Sequence, residues 1–327
     1  MSQQTSVLYD VPGPRQRRIT LISSIVAGVV LVVGAYFLIY RPLNDKGQLS
    51  MELWGPLLDP SNENFSQVWD RIGLGFKNTL IAAALAVVSS LLLGTLLAVL
   101  RIQLKSLTRL RFTGLATPVA YLLRGVSTLL SAVTRVCVEV FRGLPVVLTI
   151  FFVARGFPEF GLYLDNLWYL VIGLTIYNSV VIGEILRSGM EGLPGGQAEA
   201  AAAIGLSPAQ TTRMILLPQS FRIMLPALIS QLVVVLKDTS LGFIISYEET
   251  LNIGKQIIGV LGNPIQVYVV IAVLFIVVNY SLSKLAQYVQ RRLARGRKTA
   301  GTPAQNPPPA ALVSQAEGGG GGGGGGA

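Results

Sequence analysis

An all-α, polytopic membrane protein with about six transmembrane helices is the fold class this sequence predicts, on three observations. Of its 327 residues, 51% are hydrophobic and only 13% charged, against roughly 25% charged in a soluble domain. Six apolar runs approach the length of about 20 residues that a helix needs to cross a hydrocarbon core. The basic residues stand beside those runs, so the net charge of +10 reads as a topology signal and not as a nucleic-acid surface.

The first run, 19–40, has 22 residues without a charge and no small-residue cleavage site, so it reads as a retained span. The second, 79–100, is also free of charge. The third, about 126–154, carries Arg135, Glu139 and Arg142 in its first half. The fourth, about 167–186, holds Glu184 near its end, and the fifth, about 223–247, is interrupted by Lys237 and Asp238. The last covers about 265–285. Leu144-Pro145 and Pro226 mark kinks or hinges where backbone groups are freed.

The positive-inside rule places both termini on the cytoplasmic side of the membrane. The inner segments then hold Arg15, Arg17 and Arg18, followed by Arg101, Lys105, Arg109, Arg111 and Arg124. Arg187, Arg213, Arg222 and the basic cluster from Lys284 to Lys298 join them, and outnumber Arg41, Lys46, Arg71, Arg155 and Lys255 outside. Residues 1–18 are the inner N-terminal segment and 19–41 the first transmembrane helix. Residues 42–74 form an external loop with Trp54 and Trp69 as interface anchors, and 75–292 the membrane core, with a cytoplasmic segment at 193–218. The tail, 293–327, is rich in Pro, Ala and Gly and ends in nine glycines before Ala327. It cannot bury a core and is expected to be disordered.

The residues that are missing narrow the function. No histidine occurs, which removes Ser-His-Asp and Cys-His nucleophile systems, histidine metal ligands and histidine pH switches. Cys137 is the single cysteine and reads as a small packing residue. No acidic cluster suggests a metal, and no catalytic residue is assigned. No phosphate loop is present either: the nearest fragment, NIGKQ at 252–256, lacks the upstream glycine and the final Ser/Thr. The chain therefore does not bind ATP by that route, and no cofactor is assigned to it.

Residues 199–219 read EAAAAIGLSPAQTTRMILLPQ. The run 197–204 is rich in strong helix formers, preceded by Pro194, Gly195 and Gly196. Gly205 interrupts it, and Ser207-Pro208 starts a second helix with Ser at the N-cap and Pro at the first turn, expected over 208–216 and ended by Pro218. Two short helices bent at a glycine, with alanines along the first, suit docking into a groove. An ordinary amphipathic cytoplasmic loop accounts for the same residues.

The pattern Glu199-Ala200-Ala201, then Gly205, then Ile215, Leu217 and Pro218, resembles the signature of ATP-binding-cassette (ABC) importer permeases. In that family the segment is the coupling helix, seated in a cleft of the ATPase subunit. The runs VEVFRGLPVVLTIFF (138–152), GLTIYNSVVIGEILRSGMEGLPGGQ (173–197) and LPALISQLVVVLKDTSLG (225–242) are similar to the polar amino-acid uptake subfamily. LKDTSLG and NYSLSKLAQYVQRRL look nearest to actinobacterial glutamate permeases. The resemblance implies the type I ABC importer permease (MetI-like) fold and two ABC ATPase subunits. It also implies a second permease subunit, identical or related, an extracellular solute-binding protein and a polar amino acid, glutamate above others, as substrate.

Charges at bilayer depth are costly unless paired or hydrated, which makes them functional candidates. Arg135, Glu139 and Arg142 stand at i, i+4 and i+7 and suit a charge-pair row. Glu139, Arg142, Asn178, Glu184, Lys237, Asp238 and Ser240 are the candidates for a translocation path whose ligand carries an ammonium and carboxylates. Pairing between helices and a position near the headgroups are the competing readings. A carrier driven by an ion gradient through Lys237-Asp238 is the alternative function, but it predicts an inverted repeat that the sequence does not display.

Overall fold

The computed structural model describes residues 13–109 and 117–295; the first twelve residues, Arg111 and the tail beyond Arg295 lie outside them. Among the described residues the elements are helical, and six helices have the length and apolarity to cross a membrane. Pro14 opens α1 (Pro14–Ala35), whose residues are almost all exposed, as suits a helix that faces lipid. A π-turn at Tyr36–Tyr40 joins it to α2 (Arg41–Asp45). The whole run, Pro14–Asp45, extends the first sequence span at both ends.

The segment 42–74 is largely helical. It contains α3 (Met51–Leu58) and the start of α4 (Phe65–Arg109), a 45-residue helix whose middle is the second span. Trp54 Nε1 donates to the Gln48 carbonyl and Trp69 Nε1 to that of Leu57, so both indoles hold this segment together. Leu57, Val68 and Ile72 pack there with Ile253, Ile257, Val267 and Ile271 in one apolar cluster.

The third span divides where the sequence places a kink. Helix α5 (Thr117–Gly143) ends at Leu144-Pro145, and α6 (Val146–Glu159) begins with Pro145, at ψ 134°, as its N-cap. Proline ends the run because the residue before it is driven out of the α region and its own ring carries no N–H. The membrane-length member is α5, whereas α6 has 14 residues and packs against α7 (Asn166–Glu191).

Helix α7 is the centre of the fold, with α4, α6 and α10 (Leu217–Asp238) around it. Glycines permit the closest approaches. A Cβ on Gly173 would stand 2.7 Å from the Ile150 Cα, and one on Gly94 would stand 2.8 Å from the Ser179 carbonyl oxygen. Membrane helices gain little from apolar burial against one another, so such backbone-to-backbone contact supplies the packing.

The connection between α7 and α10 holds α8 (Gly196–Ala203), α9 (Pro208–Thr211) and a π-turn at Thr212–Leu216. Pro218 does not end this run as the sequence suggested. The π-turn shifts the hydrogen-bond register just before it, Leu217 N bonding to the Thr212 carbonyl, and a helix tolerates proline in its first turn. The chain is helical from Pro208 to Ile245, with a 3-10 stretch at Thr239–Ile245 closing it. Helices α11 (Thr250–Leu261) and α12 (Pro264–Arg295) complete the fold.

Candidate functional site

The segment 193–218 stands at one end of the bundle, and its bends are set locally. Gly205 has φ +83°. Its N–H bonds to the Ala202 carbonyl and that of Leu206 to the Ala201 carbonyl, each at 3.0 Å. These are the two hydrogen bonds of a Schellman motif, which needs a left-handed residue at its corner. The next helix starts with the expected cap: Gln210 N donates to Ser207 Oγ at 3.3 Å and Ser207 N to Gln210 Oε1 at 2.8 Å. That reciprocal pair is a capping box.

The outward surface of this segment is open. Glu199, Ala200, Ala202 and Ala203 are exposed, and only Ala201 in α8 is buried. Ile204 and Met214 are 77% and 65% exposed, in a segment that carries no catalytic group. Ile215 and Leu217 are partly buried, and Pro218 is exposed.

Side chains fix the inner surface of the segment to the bundle. Gln103 of α4 donates from Nε2 to Thr212 Oγ1 at 2.9 Å, and Ser220 Oγ donates to the Leu186 carbonyl at 2.8 Å. Beside them lies a charge network. Glu184 bonds Arg101 of α4 and Arg187 of its own helix, Arg187 reaches Glu191 at 2.5 Å, and Lys105 reaches Glu191 at 2.7 Å. The network joins α4 to α7 at half-buried positions.

The candidate path residues do not assemble into one cluster. Arg135, Glu139 and Arg142 lie exposed on α5, and no ion pair joins them among the described residues, so the expected charge row does not form. Asn178 is fully buried, donates to the Leu174 carbonyl at 2.8 Å and accepts from Gln231 Nε2 at 2.7 Å, which joins α7 to α10. Lys237 and Asp238 stand at the C-terminal end of α10 rather than in the middle of a helix, Lys237 exposed and Asp238 half-buried. Ser240 Oγ bonds back to the Lys237 carbonyl at 2.7 Å. Among the described residues no group of three metal-ligating side chains occurs.

The opposite end contains residues that the sequence did not single out. Asn78 donates to the Glu248 carbonyl at 2.8 Å and accepts from Tyr247 Oη at 3.1 Å. Thr79 and Thr250 pair through their hydroxyls at 2.8 Å. Glu249 is fully buried at the N-cap of α11 and accepts from the Leu251 and Asn252 N–H groups, both at 2.7 Å. Burial pushes its carboxyl up to about 7, the two N–H donors notwithstanding. Burial, aided by Glu249, also raises the Tyr247 phenol.

The described residues thus form six apolar helices of membrane length, with a two-helix segment at one end that carries no catalytic side chain. The chain belongs to the family described as binding-protein-dependent transport system inner membrane component, whose model matches residues 114–295. It is 37% identical, over 81% of its length and 88% of the relative's, to the glutamate transport system permease protein GluD of Corynebacterium glutamicum. It is 33% identical, over 71% and 96% of the two chains, to a probable glutamine ABC transporter permease protein of Bacillus subtilis. Among solved structures, an amino acid ABC transporter has TM-score 0.57 at 24% identity, covering 70% of this chain and 96% of that one. The inward-facing methionine ABC transporter has TM-score 0.55 at 19% identity, covering 71% and 99%. These likenesses establish the fold as that of ABC importer permeases.

Proposed function

We propose that this chain is the membrane subunit of an ATP-driven importer of polar amino acids, with glutamate as its substrate. The observation that carries the reading is segment 193–218: two capped helices, locked at Gly205, that present apolar side chains outward and hold no catalytic group. An ATPase cleft is the partner such a surface fits. The helical run from Pro208 to Ile245, with a π-turn near its start and a 3-10 turn at its end, then crosses the bundle, so a push at the segment reaches the opposite end. Two ATPase subunits, a second permease chain and an external solute-binding protein complete the machine. ATP and magnesium are bound by the ATPases. Both termini are cytoplasmic, with 193–218 on the same side. The ATPase states differ in affinity for this segment, and that difference shifts the permease between inward-open and outward-open forms. Glutamate follows from the relative that is 37% identical.

The test is uptake into proteoliposomes that hold the wild-type chain with its ATPase, partner permease and binding protein. ATP-dependent accumulation of labelled glutamate, in preference to glutamine and arginine, is expected. Accumulation without ATP, following an imposed ion gradient, would transfer the assignment to a secondary carrier.

A further inference from the structure

The coupling segment leaves the bundle and returns to it, and one pair of side chains closes the neck of that excursion. Gln197, in the first turn of α8, donates from Nε2 to Gln219 Oε1 at 3.2 Å. Gln219, in the first turn of α10, donates from Nε2 to Gln197 Oε1 at 2.9 Å and to the Ile215 carbonyl at 3.0 Å. Two amides facing each other in this way satisfy one donor and one acceptor on each side with no charge to desolvate. Both side chains are half-buried.

The pair matters because of what lies outside it. Helix α8 is short, largely exposed and joined to the helical run that begins at Pro208 through the left-handed residue Gly205. Isolated helices of this length are marginal in water. A load applied to α8 alone would be absorbed by rotation at the entry of the segment, where Gly195 and Gly196 stand, unless something tied α8 to the long helix. On the α9 side, Gln103 already ties the segment to α4 through Thr212. Gln197–Gln219 is the corresponding tie on the α8 side, and it connects α8 to the helix that crosses the bundle.

We infer that Gln197 and Gln219 are positioning residues that clasp α8 to α10, so that motion of a docked ATPase is transmitted to the membrane helices rather than dissipated in the segment. The inference deepens the permease reading and rests on it. Neither glutamine is needed for the ATPase to bind; both are needed for binding to do mechanical work.

The experiment uses the assembled transporter and reads uptake and ATP hydrolysis together. Gln197→Leu and Gln219→Leu are expected to retain the ATPase on co-purification and to hydrolyse ATP at the wild-type rate or faster. Amino acid moved per ATP should fall about tenfold. Gln197→Glu combined with Gln219→Lys restores a bonded pair, with the lysine placed to donate to both Glu and the Ile215 carbonyl, and should recover most of that ratio. An unchanged ratio in the single variants would overturn the inference, as would a double variant no better than the singles. Loss of the ATPase itself would also overturn it, because the pair would then shape the docking surface and not transmit its motion. Hydrogen exchange along α8 in the chain alone separates this inference from the permease reading. Exchange about tenfold faster in Gln197→Leu supports the clasp, and unchanged exchange removes it. A wild type that moves no amino acid with any ATPase counts only against the permease reading.

Discussion

The two ends of the bundle are held together by different physics. At the end that carries the coupling segment, α4 and α7 are joined by half-buried ion pairs among Arg101, Lys105, Glu184, Arg187 and Glu191. At the other end, α4 meets α11 and the turn before it through hydroxyl and amide bonds from Thr79 and Asn78 and through Arg71, which donates to Gln256, beside an apolar cluster and the enclosed Glu249. Ion pairs that still touch water are weakened in part by salt, though less than fully exposed ones. The buried Thr79–Thr250 hydroxyl pair is not, because an opened donor or acceptor there has no substitute. The first end is therefore the easier to loosen and the second the stiffer.

The largest expected effect breaks the rigid end. A Cβ on Gly75 would stand 2.9 Å from Ile253 Cγ1 and 3.0 Å from the Thr250 Cα, which is backbone and cannot turn aside. Gly75→Val should destabilise the purified chain by about 3 kcal/mol, read as a fall in melting temperature in detergent. A variant that melts like wild type would show that the α4–α11 contact is not tight.

Next comes pH. The Glu249 carboxyl holds its proton more firmly folded, at about 7, than at its ordinary 4.5, so its contribution to stability is complete below 4.5 and is lost as pH rises through 7. Between pH 5 and 7 the wild type should lose about 2 kcal/mol relative to Glu249→Gln. Parallel pH curves for the two proteins would contradict the buried cap.

At the adjustable end the effect is smaller. Glu184→Gln should cost about 1 kcal/mol at low salt and lose part of that cost at high salt. Thr79→Val, at the rigid end, should cost the same at both. Equal salt dependence in the two variants would erase the contrast between the ends. Smallest of all for stability is Ile204→Ala. Its side chain is 77% exposed, so the melting temperature should not move, while retention of the ATPase on a pull-down should fall several-fold.

What the sequence revealed followed the range of the forces involved. In segment 193–218 the Gly205 corner and the Ser207-Pro208 start were legible because they are local chemistry, whereas the Gln210 return bond and the continuation past Pro218 were not. Proline needed its surroundings: Pro145 stops a helix, but Pro218, behind a π-turn, does not. Glu184 and Arg187 pair within one helix, while their partner Arg101 comes from a helix 83 residues away from Glu184. Arg135, Glu139 and Arg142 had the spacing of a charge row without its ion pairs. Glu249 was invisible for the opposite reason. Read as sequence it is a carboxylate in a polar connection, and only the approach of α4 encloses it.

The central claim is that segment 193–218 exists to receive a separate ATPase. Co-purification of the detergent-solubilised chain with ABC ATPases from its own cell's membranes, wild type beside Gly205→Asp, tests it most directly. No atom lies within 4 Å of the position a Cβ would take at Gly205, and its φ is +83°. The substitution therefore disturbs the corner and adds a charge to the docking surface, while the bundle stays intact. An ATPase recovered with the wild type and lost with Gly205→Asp is the predicted result. Equal recovery with both chains, or none with the wild type under gentle conditions, would contradict the account.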